Sequence, residues 1–197
     1  VEVKETHDRH RAAILTDEFY NLLKNNEKIP ETPESLREFA KSKMGGDPRE
    51  YYDDIYDALE GALNLYAKTQ LLLSSALPKQ FESALEIEKT LPLRNRSLET
   101  IKLQQFSTPL PLAAAANYAL DAQANDVVLE PTAGTGNLIT PFDVHGIKTV
   151  LNELDPRRIE VLKACGHNPT NEDFLKYKGK ATAIIANPPF GSLQTGK

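Results

Sequence analysis

Apolar residues in the first part of the chain recur at intervals of three and four, which places them on one face of an α-helix. The pattern predicts four amphipathic helices, over residues 10–24, from Pro33 onward, over residues 49–73 and over residues 78–89. In the last of these, Phe81, Leu85 and Ile87 are expected to face the core. Residues 1–95 are therefore predicted to form a helical module.

Further along, short apolar runs alternate with helical stretches. The runs predict strands over residues 127–129, 148–152 and 181–186, and a weak strand or a loop over residues 167–174. The intervening stretches predict helices over residues 110–122, 137–144 and 157–164. Pro141 is expected to disturb the second of these helices. Alternation of this kind predicts a parallel sheet with right-handed crossovers, and hence an α/β fold class.

Polar residues follow the predicted strands. Glu130, Glu153, Asp173 and Asn187 each come at the end of one strand. Ligands of parallel sheets bind at the carboxyl ends of the strands, so these four side chains are expected to share one site.

A glycine-rich turn, Gly134-Thr135-Gly136, follows the first strand. Glycines let a backbone approach a ligand closely, and a helix expected from near Asn137 would direct its free N–H groups at the same spot. A lone Gly-x-Gly fits an ordinary strand-to-helix turn as well as it fits a ligand-binding loop, so the distinction between the two depends on the neighbouring motifs.

Composition narrows the class of protein. The chain has 197 residues, a net charge of −5 and one cysteine, Cys165. A single cysteine excludes an internal disulfide, and no Cys/His spacing suits zinc, so no metal site is predicted. There is no signal peptide and no apolar run of the roughly 20 residues that a membrane span needs, so a cytoplasmic protein without membrane contact is expected. Because the chain starts at Val1 and stops soon after a motif, we expect it to be an excerpt of a longer protein.

The strand ends suit a nucleoside ligand. A carboxylate at Glu153 could hold the two hydroxyls of a ribose, Asp173 could accept from an exocyclic amine, and Phe174 could cover a ring. Such charged hydrogen bonds contribute about 1.5–3 kcal/mol each.

The run Asn187-Pro188-Pro189-Phe190 suits a reaction on an amine. An exocyclic amine of a base is a poor nucleophile, and the Asn187 side-chain oxygen and the Pro188 carbonyl could accept from its two N–H groups as charge develops. Pro189 would help to fix the turn, and Phe190 would stack on the target ring.

Together these motifs resemble those of the S-adenosylmethionine-dependent N6-adenine DNA methyltransferases. The run from Asn187 to Phe190 is similar to the catalytic motif of that family, residues 130–136 to its cofactor loop, and residues 105–109 to the upstream segment that holds the methionine part of the cofactor. The resemblance covers about residues 100–197.

The resemblance implies a role for each matching residue. The cofactor S-adenosyl-L-methionine would contact Thr108 and Pro109 at its methionine end, Glu153 at the ribose, and Asp173 and Phe174 at the adenine. The residues implied for the cofactor loop are Glu130, Pro131, Thr132, Ala133, Gly134 and Gly136. Residues 96–197 would then be the first half of a Rossmann-like parallel-sheet methyltransferase domain, truncated and lacking three further strands.

The motif order and the helical module are similar to two kinds of relative. One is the modification subunit of type I restriction systems, and the other is the methylase–helicase fusion of phages and plasmids. The implied partners are DNA with an adenine target and a specificity or helicase subunit or domain.

Several alternatives stay open from the sequence. Related families use the same motif on guanine N2 in RNA or on a glutamine amide in protein. Residues 191–197 also fit the Gly-x4-Gly-Lys spacing of a phosphate-binding loop, but the required Ser or Thr is missing. A fragment that binds the cofactor without catalysis is the remaining possibility.

Overall fold

The computed structural model of the chain describes residues 2–71, 77–90 and 106–188. These contain the helices α1 (Glu2–Lys24), α2 (Pro33–Met44), α3 (Tyr52–Leu71), α4 (Leu77–Glu88), α5 (Leu110–Leu120), α6 (Thr140–Val144) and α7 (Pro156–Ala164), and the strands β1 (Val127–Glu130), β2 (Lys148–Leu151) and β3 (Ala183–Ile184). Helices combined with a parallel sheet confirm the predicted α/β class. The predicted domain boundary near residue 95 lies outside the described residues and stays a prediction.

The start of α2 shows how local sequence sets the helix ends. Thr32 Oγ1 accepts from the Ser35 N–H group, and Ser35 Oγ accepts from the Thr32 N–H group, each at 3.1 Å. Pro33 occupies the first turn, where its missing N–H group has no cost. Gly45 ends the helix with a φ of +69°, a conformation that favours glycine.

The helical part has its own core, centred on the contact between α1 and α3. The buried apolar side chains include Leu15, Phe19, Leu36, Ile55 and Leu59. In α4 the predicted inward face is wrong for Phe81 and Leu85, each of which is 40% exposed. The helix packs instead through Ala84 and Ile87, because the small Ala84 lets α4 approach its neighbours closely.

The sheet has the order β2-β1-β3, and both pairings are parallel. The central β1 is buried at Val128, Leu129 and Glu130, as its continuous apolar pattern predicts. Of the two possibilities predicted for residues 167–174, a weak strand or a loop, the structure has the loop, with one isolated bridge between Thr170 and Asn152. Pro169 offers no N–H group for a ladder, and the Asn and Asp residues that follow are poor strand formers.

Two other predicted elements are shorter than expected. The strand predicted over residues 181–186 covers two residues, although the N–H groups of Thr182 and Ile185 on either side of it also donate to β1. The helix expected from Asn137 begins at Thr140, which places Pro141 in its first turn. The expectation that free N–H groups of a helix at Asn137 face the glycine turn is therefore wrong.

The helical part packs directly against the sheet part. Helix α1 contacts α7, α3 contacts both α6 and α7, and α4 contacts α5. At Gly61 in α3 a Cβ atom would overlap Val161 of α7 and come within 3.1 Å of Thr16 Cγ2 in α1. The three helices therefore meet without room for a side chain at this position. Within the described ranges, none of the helices combines the length and the apolar composition needed to cross a membrane.

Candidate functional site

A cavity of about 720 Å³ lies at the carboxyl ends of the strands. Its walls come from four segments, residues 106–108, 130–138, 152–158 and 172–175, together with Asn187 and Pro188, which follow β3. The candidate residues that line it are Thr108, Glu130, Pro131, Thr132, Ala133, Gly134, Glu153, Asp173, Phe174, Asn187 and Pro188. Folding thus brings three separate sequence motifs to one space.

Two of the described candidate residues, Pro109 and Gly136, do not line this cavity. Pro109 precedes the first turn of α5. Gly136 has a φ of +97°, and a Cβ atom there would lie 3.1 Å from Leu162 Cδ2, so the turn packs closely against α7 at this glycine. The candidates Pro189 and Phe190 lie outside the described residues, as does the candidate phosphate-binding segment 191–197.

The Glu153 carboxylate fastens the glycine turn. Its Oε2 accepts from the Gly134 N–H group at 2.6 Å, and its Oε1 accepts from the N–H groups of Leu154 and Asp155, each at 2.8 Å. Burial raises the pKa of Glu153 above its ordinary value, although these N–H groups and Arg158 oppose the rise. A carboxylate oxygen has two lone pairs, so Oε2 can accept one more hydrogen bond, for example from a ligand hydroxyl.

The second carboxylate, Glu130, ends β1 and is 1% exposed. Its Oε1 accepts from the N–H and hydroxyl groups of Thr132 at 3.0 and 3.1 Å. Its Oε2 is buried without a hydrogen-bond partner among the described residues. Burial raises the pKa of Glu130 to about 7, and the bonds from Thr132 offset only part of that rise. A cationic ligand group in this cavity would therefore be stabilised by the ionised form of Glu130.

Asn187 contacts the segment that precedes α5. Its Nδ2 group donates to Thr108 Oγ1 at 3.1 Å and points at the Phe106 carbonyl at 3.4 Å. A carbonyl can only accept, so the nitrogen faces Phe106 and the side-chain oxygen of Asn187 is directed away from this wall. That orientation leaves the oxygen available to accept from a ligand amine.

The segment with Asp173 and Phe174 is held without a regular strand. Asp173 caps a short 3-10 helix by accepting from the Leu175 N–H group at 3.0 Å, and Phe174 is 44% exposed. Asn152 supports this segment, since its Nδ2 group donates to the carbonyls of Pro131 at 3.0 Å and Glu172 at 2.9 Å. Asn152 was not among the predicted site residues, although an asparagine at the end of an apolar strand is a signal that could have found it.

Helix α3 also reaches the site, which the sequence did not predict. Glu60 Oε2 accepts from Ser107 Oγ at 2.5 Å and from Thr135 Oγ1 at 2.8 Å. Asn64, one turn later, donates to the Thr135 carbonyl at 2.9 Å. Two polar residues four apart within an apolar helix face are a weak signal, and their partners are far away in sequence.

Buried charges complete the wall next to α7. Arg158 lines the cavity, and its Nη2 lies 3.6 Å from Asp57 Oδ1 in α3, while Arg157 Nε donates to Asp57 Oδ2 at 2.8 Å. Asp57 is fully buried. This pairing anchors α7, which follows Glu153, to the helical part.

Comparison with known proteins adds no assignment. The chain matches no protein-family model, and no curated protein matches it. The functional interpretation therefore depends on the motifs and on the cavity they share.

Proposed function

We propose that this chain binds S-adenosyl-L-methionine in the cavity and transfers its methyl group to the exocyclic N6 amine of adenine in DNA. One observation carries the proposal. Residues from the segments that resemble a cofactor loop, a ribose site, an adenine site and a catalytic motif line one cavity, although these segments are spread over residues 108–188.

The position of the cavity supports a nucleoside ligand. The central β1 has β2 on one side and β3 on the other, so the connection after β1 runs to one side of the sheet and the connection after β2 crosses to the other. Ligands of open α/β sheets bind outside the carboxyl ends of the strands at such a reversal. The volume of the cavity is also within the range of ligand pockets, roughly 300–1,000 Å³. A Rossmann-like methyltransferase domain is the fold that this arrangement favours.

The walls supply groups for each part of the cofactor. Glu153 Oε2 would accept from a ribose hydroxyl, and Asp173 from the adenine amine, while Phe174 would cover the ring. Thr108 and the buried Glu130 would lie at the methionine end, where the cofactor carries positive charge. The carboxylates of Glu130 and Glu153 are therefore placed to favour a cationic nucleoside over a neutral one.

Asn187 and Pro188 would act on the target amine. When bound, the cofactor supplies an electrophilic methyl group on sulfur. The Asn187 oxygen and the Pro188 carbonyl would accept from the two N–H groups of the target and draw the nitrogen toward tetrahedral geometry. These two acceptors would stabilise the positive charge that develops on the target nitrogen as it takes up the methyl group.

The residues of the cavity suit more than one kind of molecule as the recipient of the methyl group. Guanine N2 in RNA and a glutamine amide in protein present the same planar amine, so the two acceptors at Asn187 and Pro188 would suit them too. The resemblance of residues 105–109 favours DNA adenine. A specificity or helicase partner would be needed to select the target site.

The proposal is tested by methyl transfer from labelled S-adenosyl-L-methionine to DNA, RNA and protein in parallel. We expect label in DNA as N6-methyladenine, and we expect Asn187→Ala to abolish it while cofactor affinity stays near normal. Asn25→Ala, in the exposed loop after α1, is the matched control. Transfer to RNA or protein alone would reassign the substrate. Full activity of Asn187→Ala would refute the catalytic role.

A further inference from the structure

The side chain of Asn137 connects α3 to the wall of the cavity. Its Oδ1 accepts from Asn64 Nδ2 at 2.8 Å, and its Nδ2 donates to the backbone carbonyl of Thr108 at 3.0 Å. Only 6% of Asn137 is exposed, so water does not substitute readily for either partner.

Both amides in this connection have one orientation that satisfies their neighbours. The Thr108 carbonyl can only accept, so it requires the Asn137 nitrogen. The Thr135 carbonyl in the same way requires the Asn64 nitrogen, which lies 2.9 Å away. Rotating either amide by half a turn would set two oxygens against each other.

The connection continues to Asn187. Thr108 accepts at its carbonyl from Asn137 and at its Oγ1 from Asn187 Nδ2. A continuous chain of hydrogen bonds, which we call the asparagine relay, therefore runs from Asn64 through Asn137 and Thr108 to Asn187.

We propose that Asn137 is a positioning residue that, held by Asn64 of α3, fixes Thr108 and thereby holds the Asn187 side chain, whose amide nitrogen faces the Phe106 carbonyl, in its position at the cavity. This inference rests on the proposed function of Asn187. Activation of an amine by two acceptors needs their geometry held to about 0.5 Å, and a loop wall alone is a poor support for such precision. Through the relay, the helical part of the chain contributes to the reaction.

Two variants interrupt the relay at different points. Asn137→Asp replaces the amide nitrogen with oxygen at nearly constant size, so the donation to Thr108 is lost while an acceptor for Asn64 remains. Asn64→Leu removes the α3 end of the relay, and it tests the proposal independently if Asn137→Asp fails to fold. Asn25→Asp is the matched control, since its exposed amide bonds only Glu27 among the described residues.

The first measurement uses the ligand-free protein and needs no methyl transfer. The side-chain amide resonance of Asn187 is identified in a ¹⁵N NMR spectrum by its loss in Asn187→Asp. We expect Asn137→Asp and Asn64→Leu to shift this resonance and Asn25→Asp to leave it in place. An unchanged resonance in both relay variants would overturn the proposal.

The second measurement separates positioning from general damage to the fold. We expect Asn137→Asp to lower kcat by about tenfold or more, with KM for DNA little changed, since small displacements of catalytic groups cost this much. Thr108→Val removes the next step, so the double variant should be no slower than the slower single variant. Multiplying losses would contradict a shared relay. If the unaltered protein transfers no methyl group, the proposed function fails, and the NMR result still decides whether the relay exists.

Discussion

Glu130 and Glu153 are neighbouring carboxylates that burial makes costly to ionise. Burial raises the pKa of both groups, and the negative charge of Glu153 adds to the rise for Glu130. A folded domain gains no stability from two such groups unless something compensates them. A cationic ligand in the cavity would do so, which is why these side chains are more informative than the glycine turn itself.

Stability should report the cost of ionising Glu130. Its pKa in the folded protein is about 7, above its ordinary value, so between about pH 4.5 and pH 7 the folded state binds more protons than the unfolded state. Stability is then lost as the pH rises through this window. Glu130→Gln removes the titration, so we expect the variant to gain stability relative to the unaltered protein, by up to about 3 kcal/mol at the top of the window. Urea unfolding at several pH values measures this difference, and a difference that does not vary with pH would show that Glu130 ionises normally.

At the scale of elements, the contact between α3 and α7 combines close packing with buried charge. Gly61 lets the helices approach, and Asp57 bonds Arg157 and lies 3.6 Å from Arg158. Burial acts to lower the pKa of both arginines. The nearby carboxylates, chiefly Asp57, together outweigh this effect, so the pKa of each arginine is raised.

Removing Asp57, the carboxylate that Arg157 and Arg158 share, should therefore destabilise the fold strongly. We expect Asp57→Ala to lower the free energy of unfolding by about 3–5 kcal/mol, the usual effect of leaving buried charges uncompensated. Glu31→Ala breaks an exposed pair with Lys28 and serves as the control, with an expected change of less than about 0.5 kcal/mol. If chemical denaturation gives similar values for the two variants, the charges at this interface do not stabilise the fold.

Elements were predictable from the sequence where local signals were strong. The helix periodicity and the capping box at Thr32 place α2, and the apolar run at Val128 places β1. The segment around Thr170, for which a weak strand and a loop were both possible, forms a loop because the side-chain amide of Asn152 takes the place of a ladder there. The start of α6 differs from the prediction because Pro141 favours the first turn of a helix, so the helix begins at Thr140 rather than near Asn137. Neither Asn152 nor the final position of Pro141 can be read from periodicity alone.

The candidate site shows the same limit at longer range. Residues within recognisable motifs, such as Glu153 and Asn187, were chosen from the sequence and do line one cavity. Glu60 and Asn64 were missed, because nothing local to α3 indicates that the helix will pack against the glycine turn. Polar contacts between distant segments become visible only when the packing of the helices is known.

For the whole molecule, the cavity depends on both halves of the described chain. Segments 106–108 and 134–137 form two of its walls, and α3 bonds to both of them. A fragment of residues 96–197 would expose the α7 face that contacts α1 and α3 and would leave Arg157 and Arg158 without Asp57. We expect this fragment to show no cooperative thermal unfolding by circular dichroism, in contrast to the full chain. Cooperative unfolding of the fragment would show that the sheet part folds independently.

The most direct measurement of the central claim is calorimetric titration of S-adenosyl-L-methionine into the unaltered protein and into Glu153→Ala. We expect saturable binding at one site, weakened about tenfold or more in the variant, since a charged hydrogen bond contributes about 1.5–3 kcal/mol. Absence of binding to the unaltered protein, or equal affinity in the two proteins, would contradict the assignment of this cavity to the methyl donor.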